Sequence, residues 1–290
     1  MNRRDFLRLS ATAGIGALGL GLYTFEIEPH WVTVVERDLP VSGLPPGLDG
    51  TRAVQISDLH VGPKVSDDYL VDCLNKVAAL QPDLLVFTGD FLTYSHPRGD
   101  AQFGQLRDVL AHFPQGRLAT LGILGNHDYG RAWSEPAVAE KVTAVAERAG
   151  VRVLRNACAT VAGLDVVGVD DLWSGAANPQ RALAGRSGAA ALVLCHNPDT
   201  LDERPWAGYQ GWILAGHTHG GQCKPPFLPA PLLPVKNRRY AQGEIPLADG
   251  RRLYINRGLG HLLQVRFNAR PEITCFTLRP TRNSGDPARV

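Results

Sequence analysis

Aspartate, asparagine and histidine fall in this 290-residue sequence in five short groups: Asp58-Leu59-His60, Gly89-Asp90, Gly125-Asn126-His127-Asp128, His196 and Gly216-His217-Thr218-His219. An isolated aspartate such as Asp90 reads equally well as a turn residue. Five groups are harder to dismiss, because burying that many ionisable side chains together costs on the order of several kcal/mol each unless something cancels the charge. Divalent cations cancel it, and carboxylate, amide oxygen and imidazole all coordinate them. The five cysteines (Cys73, Cys158, Cys195, Cys223, Cys275) are odd in number and form no C-x-x-C, which excludes a disulfide framework and a thiolate zinc site. A mixed nitrogen and oxygen site points instead to manganese, iron or zinc.

The elements that must carry these groups are legible as short apolar runs. Arg52–Ser57 leads into Asp58 and His60, Leu84–Thr88 into Asp90, and Leu118–Leu124 into Asn126. Ala191–Cys195 leads into His196, and Trp212–Ala215 into His217 and His219. Each run reads as a strand whose C-terminal end delivers a ligand, the edge at which open α/β sheets bind. The glycines before Asp90, Asn126 and His217 suit sharp turns. Trp31–Glu36, Leu164–Val169, Leu253–Asn256 and Glu272–Leu278 complete the expected strands. Helices are expected over Asp67–Leu80, where Leu70, Val71, Leu74, Val77 and Ala78 share a face, and over Glu135–Ala149, with Pro136 in its first turn. No internal repeat is present, and Pro40–Gly50 reads as a linker.

The ordered series D-x-H, G-D, G-N-H-D, a lone His and G-H-T-H, across roughly Arg52 to Gln222, resembles the calcineurin-like metallophosphoesterase family. The resemblance implies an α/β fold of four layers, αββα, with two mixed β-sheets face to face. It implies two divalent metal ions, one held by Asp58, His60 and His219 and the other by Asn126, His196 and His217, with Asp90 bridging. It makes His127 the residue beside the substrate phosphate, as acid or charge stabiliser, and Asp128 the group that orients the His127 ring. The reaction implied is in-line attack on phosphorus by a hydroxide shared between the metals. Asp171-Leu172-Trp173, His196-Asn197-Pro198-Asp199, Asn256-Arg257-Gly258-Leu259-Gly260, Arg266-Phe267 and Arg270-Pro271-Glu272 are similar to the exported YkuE/YaeI-type phosphodiesterase subgroup. Cys195 departs from the G-H that many relatives carry there, and is expected to pack as a small apolar residue.

A net charge of +2 with 44% hydrophobic and 20% charged residues excludes disordered, collagen-like and coiled-coil chains, and gives no sign of a dedicated nucleic-acid partner. The expected organisation is a signal or membrane anchor at 1–28, a leading strand and linker at 29–50, a metallophosphoesterase domain at 51–280 and a flexible tail at 281–290. Arg3-Arg4 followed by Phe6-Leu7 and an uncharged, Gly-rich run from Leu9 to Phe25 resembles a twin-arginine export signal; an apolar core helix is the other reading. No clear A-x-A cleavage site precedes Glu26, so the segment suits an anchor at the cytoplasmic membrane of an extracytoplasmic monomer.

Substrate signals come late in the chain. Lys224–Pro234 is too rich in proline for a helix or central strand, which leaves Phe227, Leu228, Leu232 and Leu233 on a stiff loop. That loop either meets a lipid surface or folds over the domain's own core. Lys236, Arg238, Arg239, Arg251, Arg252, Arg257, Arg266 and Arg270 then form a basic run that either steers phosphates and anionic headgroups or is a solvated face. Arg257 is the candidate substrate contact; Trp173 either stacks on a substrate base or sugar or fills core volume. The expected substrate is a phosphodiester, free or lipid-linked. The alternatives are a UDP-diacylglucosamine-type lipid pyrophosphatase, a cell-wall phosphomonoesterase and a non-catalytic metal-dependent interaction module, the last disfavoured by the intact ligand set and His127.

Overall fold

The computed structural model describes residues 2–94 and 99–281, so all but the first residue of the expected tail lies outside the described residues. Twelve strands form among them: β1 (Thr33–Val41), β2 (Arg52–Ile56), β3 (Leu84–Thr88), β4 (Ala119–Ile123), β5 (Arg152–Val153), β6 (Ala157–Val161), β7 (Leu164–Val169), β8 (Ala191–Cys195), β9 (Trp212–Ala215), β10 (Gly243–Pro246), β11 (Arg252–Ile255) and β12 (Glu272–Pro280). They make two six-stranded sheets, ordered β1-β12-β2-β3-β4-β5 and β10-β11-β9-β8-β7-β6. Both are mixed: β2, β3 and β4 run parallel beside an antiparallel β12, and β7, β8 and β9 run parallel beside an antiparallel β6.

The apolar alternation within single strands dictates the layering. In β3, Leu84 and Val86 face the second sheet, whereas Leu85 and Phe87 face helices. In β8, Leu192 and Leu194 meet the first sheet, whereas Val193 and Cys195 face outward into a third cluster. A strand covered on both faces needs an unbroken apolar run, which is how these strands read. Three helices cover the first sheet: α2 (Asp67–Ala79), α3 (Asp100–Leu110) and α4 (Pro136–Arg148), the labels following α1 (Arg3–Leu22). Leu70, Cys73, Leu74 and Val77 form the buried stripe of α2, and Ser66 caps it by accepting from Tyr69 N. Two shorter helices, α5 (Pro179–Ala184) and α6 (Thr200–Glu203), contribute Ala182, Leu183 and Leu201 to the outer cluster of the second sheet. The result is the four-layer α/β sandwich that the sequence led one to expect.

The structure differs from the sequence reading in several short elements, of which three bear on the core. The first strand starts at Thr33 and continues through Pro40 and Val41, so it runs into the stretch read as a linker. It tolerates the proline because β1 is an edge strand. Leu39, Val41, Leu44 and Leu48 are then buried between the sheets. Strand β6 was hidden by its short, weakly apolar sequence; it is fixed by a two-residue hairpin to β7 through Ala162 and Gly163, both at positive φ, as the tight turn between right-twisted strands requires. Helix α3 also escaped, its glutamines and aspartates masking the buried Phe103 and Leu106.

Leu194 is fully buried in the core that holds the two sheets together. Leu194→Ala should cost about 2–5 kcal/mol of unfolding free energy, read by chemical denaturation of the metal-free protein. A cost near zero would mean that the sheets are not held by this core.

Candidate metal centre

The ends of β2, β3 and β4 in one sheet and of β8 and β9 in the other meet at one rim. Asp58 N donates to Gly89 O at 2.9 Å and His60 N to Asp90 O at 3.1 Å, tying the first two turns together. Across the sheets, buried Gln55 on β2 donates to Ala215 O at the end of β9 (2.9 Å), and His196 Nδ1 donates to Thr88 O at the end of β3 (2.7 Å). Asp58, His60, Asp90, His217 and His219 all have positive φ, a conformation that costs a non-glycine residue roughly 1–3 kcal/mol and clusters at functional sites. Of the glycines before the ligand groups, Gly89 has the positive φ expected of a sharp turn (97°), whereas Gly125 is extended (φ −108°). Gly125 is needed for closeness instead, since a Cβ there would overlap the Asp90 carboxylate.

Three sets of side chains converge closely enough to hold a cation: Asp58 with His60 and His219, His60 with Asp90 and His127, and Asp90 with His196 and His217. His60 Nε2 and His219 Nε2 face each other at 3.0 Å, and His219 Nε2 lies 3.4 Å from Asp58 Oδ1. Asp90 Oδ2 sits between the outer groups, 3.6 Å from His60 Nε2 and 3.2 Å from His196 Nε2, while Asp90 Oδ1 accepts from His127 N at 2.9 Å. The second ring nitrogens select the tautomers. His196 Nδ1 is engaged by Thr88 O, His60 Nδ1 by Thr93 Oγ1 at 2.8 Å, and His217 Nε2 by Pro234 O at 2.9 Å. That leaves Nε2 of His60 and His196, and Nδ1 of His217, as lone-pair donors, the arrangement by which outer hydrogen bonds orient metal ligands.

The donors fit cations on two further grounds. Asn126 is fully buried with neither amide oxygen nor amide nitrogen hydrogen-bonded, although buried polar groups are almost always satisfied. Burial also works against the charges: it pushes Asp58 up to about 7 and drives His60 and His217 down to about 3. Burial alone would lower His196, but the Asp90 carboxylate facing it holds it up at about 10. Asp90 itself stays well below the usual carboxylate range, because His196 and His127 outweigh its burial.

The structure brings Asp58, His60, Asp90, Asn126, His127, His196, His217 and His219 to this rim, and corrects the reading at three places. Asp128 does not reach the His127 ring; its carboxylate accepts from Asp90 N (3.0 Å), Leu92 N (3.1 Å) and Gly125 N (2.9 Å), so it holds the turn that presents Asp90. Arg257 is not in the cleft: its guanidinium pairs with buried Glu272 at 3.0 Å and donates to Arg270 O. The basic run is not one surface, since Arg266 is buried donating to backbone carbonyls, among them Ala269 O and Gly260 O, and Arg251 and Arg252 pair with Asp249 and Glu244. Trp173 does reach the site, edge-on to His217 with ring centres 4.5 Å apart, and stacks obliquely on Trp133, which sequence reasoning missed. Thr93, Gln55 and the carbonyls of Thr88 and Pro234 were also missed, because single polar residues and backbone groups leave no spacing signal. Cys195 packs in the apolar cluster, as expected.

A face-to-face pair of mixed sheets with an interior cluster of cation donors at their shared rim defines a metal-binding α/β sandwich. The sequence profile of calcineurin-like phosphoesterases matches residues 51–221, and the chain belongs to that family. It is 33% identical to the uncharacterized metallophosphoesterase YkuE of Bacillus subtilis, over 97% of this chain and 99% of that protein. It is 30% identical to phosphodiesterase YaeI of Escherichia coli, over 96% and 99%. The UDP-2,3-diacylglucosamine pyrophosphatase LpxG of Chlamydia muridarum is 26% identical over 87% and 91%.

Asp128→Ala should lower bound metal and activity together, since it frees the turn under Asp90; loss of turnover at full metal content, read by elemental analysis, would restore the ring-orienting role. Asp58, at about 7, and His196, at about 10, must both lose a proton to coordinate, so cation binding releases protons and tightens as pH rises from about 6 to 8. Calorimetry in buffers of different ionisation enthalpy reads the released protons; pH-independent affinity would refute the assignment.

Proposed function

We propose that this chain is a phosphodiesterase working at a two-cation site in which Asp58, His60 and His219 hold one ion, Asn126, His196 and His217 the other, and Asp90 both. The observation that carries the two-cation site is the buried Asn126 amide with no hydrogen-bond partner, at the end of β4, together with the Asp90 carboxylate that lies between His60 and His196. The bound cations supply charge neutralisation of the phosphate and a water of lowered pKa. Mixed nitrogen and oxygen donors suit manganese, with iron and zinc as the rivals. The protein contributes a dry floor in which those charges act at short range. His127 lies beside the floor, its ring edge-on to His60 at 5.0 Å and partly open to the cleft, where it gives a proton to the departing oxygen or stabilises its charge. Its backbone N–H on Asp90 Oδ1 sets its distance from the shared carboxylate.

The pair Arg3-Arg4 ahead of an exposed apolar helix supports export by the twin-arginine route and retention at the membrane; Arg3–His30 is a helical stretch long and apolar enough to cross one. LpxG, by its name, acts on a diacylated substrate, which favours a lipid-linked phosphate ester here.

Manganese-loaded protein should hydrolyse bis-p-nitrophenyl phosphate faster than p-nitrophenyl phosphate, and chelator should abolish both. Hydrolysis of neither would favour a binding module. His127→Ala should keep its metal and lose roughly 10²–10⁴-fold in turnover. Metal lost in step with activity would remove His127 from the chemistry.

A further inference from the structure

The metal donors form the floor of a cleft of about 450 Å³ whose walls are apolar. Trp133, Leu232 and Leu233 of the Pro-rich loop, and Leu263 with Val265 are among its apolar lining. Phosphate esters with polar substituents gain nothing from such walls, whereas a hydrocarbon chain buries against them. The walls also continue outward. Phe227 is fully exposed, and Leu228, Leu232 and Leu263 are each more than half exposed, so the Pro-rich loop does not fold over the core.

The N-terminal helix leaves the body at this same rim. Arg266 N donates to Thr24 O at 3.0 Å, Gln264 Nε2 donates to Phe25 O at 3.0 Å, and Ala269 N donates to buried Glu28 at 2.6 Å. On its other side the 263–267 segment bonds to the start of the Pro-rich loop and the residues before it, accepting from Gln222 Nε2 at Leu263 O and from Lys224 N at Phe267 O. Helix exit, cleft wall and Pro-rich loop are therefore one hydrogen-bonded rim. Helix α1 has no buried residue, and the uncharged helical run from Leu9 to Phe25 is about 25 Å long, the least that spans a bilayer's hydrocarbon core. A bilayer is thus the occupant that covers both the helix and the rim beside it. Trp31, half exposed with Arg270 against its ring, suits the headgroup level next to that exit.

We propose that α1 stays as an anchor which seats the cleft mouth on the membrane, with Phe227 and Leu228 entering the bilayer. The substrate is a phosphodiester bearing an acyl or alkyl chain, its chain lying along Leu232, Leu233, Leu263 and Val265 and its phosphate on the metal floor. The substrate class rests on the phosphodiesterase reading above; the seating does not.

The full chain is reconstituted in phosphatidylethanolamine–phosphatidylglycerol vesicles. In Phe227→Trp, the added fluorescence should be quenched by lipids brominated in their acyl chains. Hexadecyl p-nitrophenyl phosphate should be cleaved with a kcat/KM at least about 10-fold above methyl p-nitrophenyl phosphate, each fully buried methylene being worth roughly fourfold. Leu232→Asp/Leu263→Asp, both at exposed positions on the chain path, should lose that preference. If the fluorescence added by Phe227→Trp is not quenched, the seating is overturned, and equal rates on the two esters overturn the chain site. Cleavage of neither ester would remove the phosphodiesterase reading and the substrate with it, while the quenching, which needs no turnover, still decides the seating.

Discussion

Charge confined in a desolvated rim is the constraint on which the rest of this structure depends. Asp58 and Asp90 lie fully inside, beside four buried imidazoles and an amide with no partner of its own. A folded chain does not keep such a cluster for stability alone, because burial opposes each charge and mutual attraction rarely offsets the cost. Cations reverse the sign of that balance: donors that are strained and unpaired in the polypeptide become a ready coordination sphere. The positive φ at five of the donors is the same cost in backbone form, accepted where side chains must turn back over the strand ends.

The two sheets serve that rim more than they serve each other. Parallel strands bring several C-terminal ends to one edge, and packing the sheets face to face places β8 and β9 opposite β2, β3 and β4. Hydrogen bonds from Gln55 and His196 then cross between the sheets at the level of the donors. Beyond its first residue each ligand strand is buried on both faces up to its end, so the change from core to chemistry happens within one or two positions.

That abrupt change is why the site was legible in sequence. Unbroken apolar runs ending in Asp, Asn or His gave the donors and the edge they share, and the alternation within β3 and β8 follows from covering both faces. What escaped has physical causes. The partners that set histidine tautomers are carbonyls of Thr88 and Pro234 and one hydroxyl, Thr93, none of which has a pattern. Asp128 looked like a partner for His127 because the two are adjacent in sequence; in the fold its carboxylate points back to the N–H groups of the turn, as acidic residues at tight turns often do. Arg257 stood in a suggestive segment, but buried Glu272 needs a counter-ion and takes it. Short elements such as β5 and β6 were invisible because two to five weakly apolar residues carry too little periodicity.

The cleft joins two kinds of surface that come from different parts of the chain. Its ionic floor is built from strand ends rooted in the cores, where low polarizability strengthens every electrostatic contact. Apart from Trp133 and Trp173, its apolar walls come from segments after the last ligand, His219, and are held by backbone hydrogen bonds rather than by a core. Floors of this type serve many phosphoester chemistries, so discrimination among substrates falls to the walls. Here one wall is also a neighbour of the catalytic apparatus, because Pro234 in the Pro-rich loop accepts from His217. A displacement of that loop would therefore act on a ring that faces the floor, which makes the orientation of one imidazole the physical link between what the walls bind and how the floor is arranged.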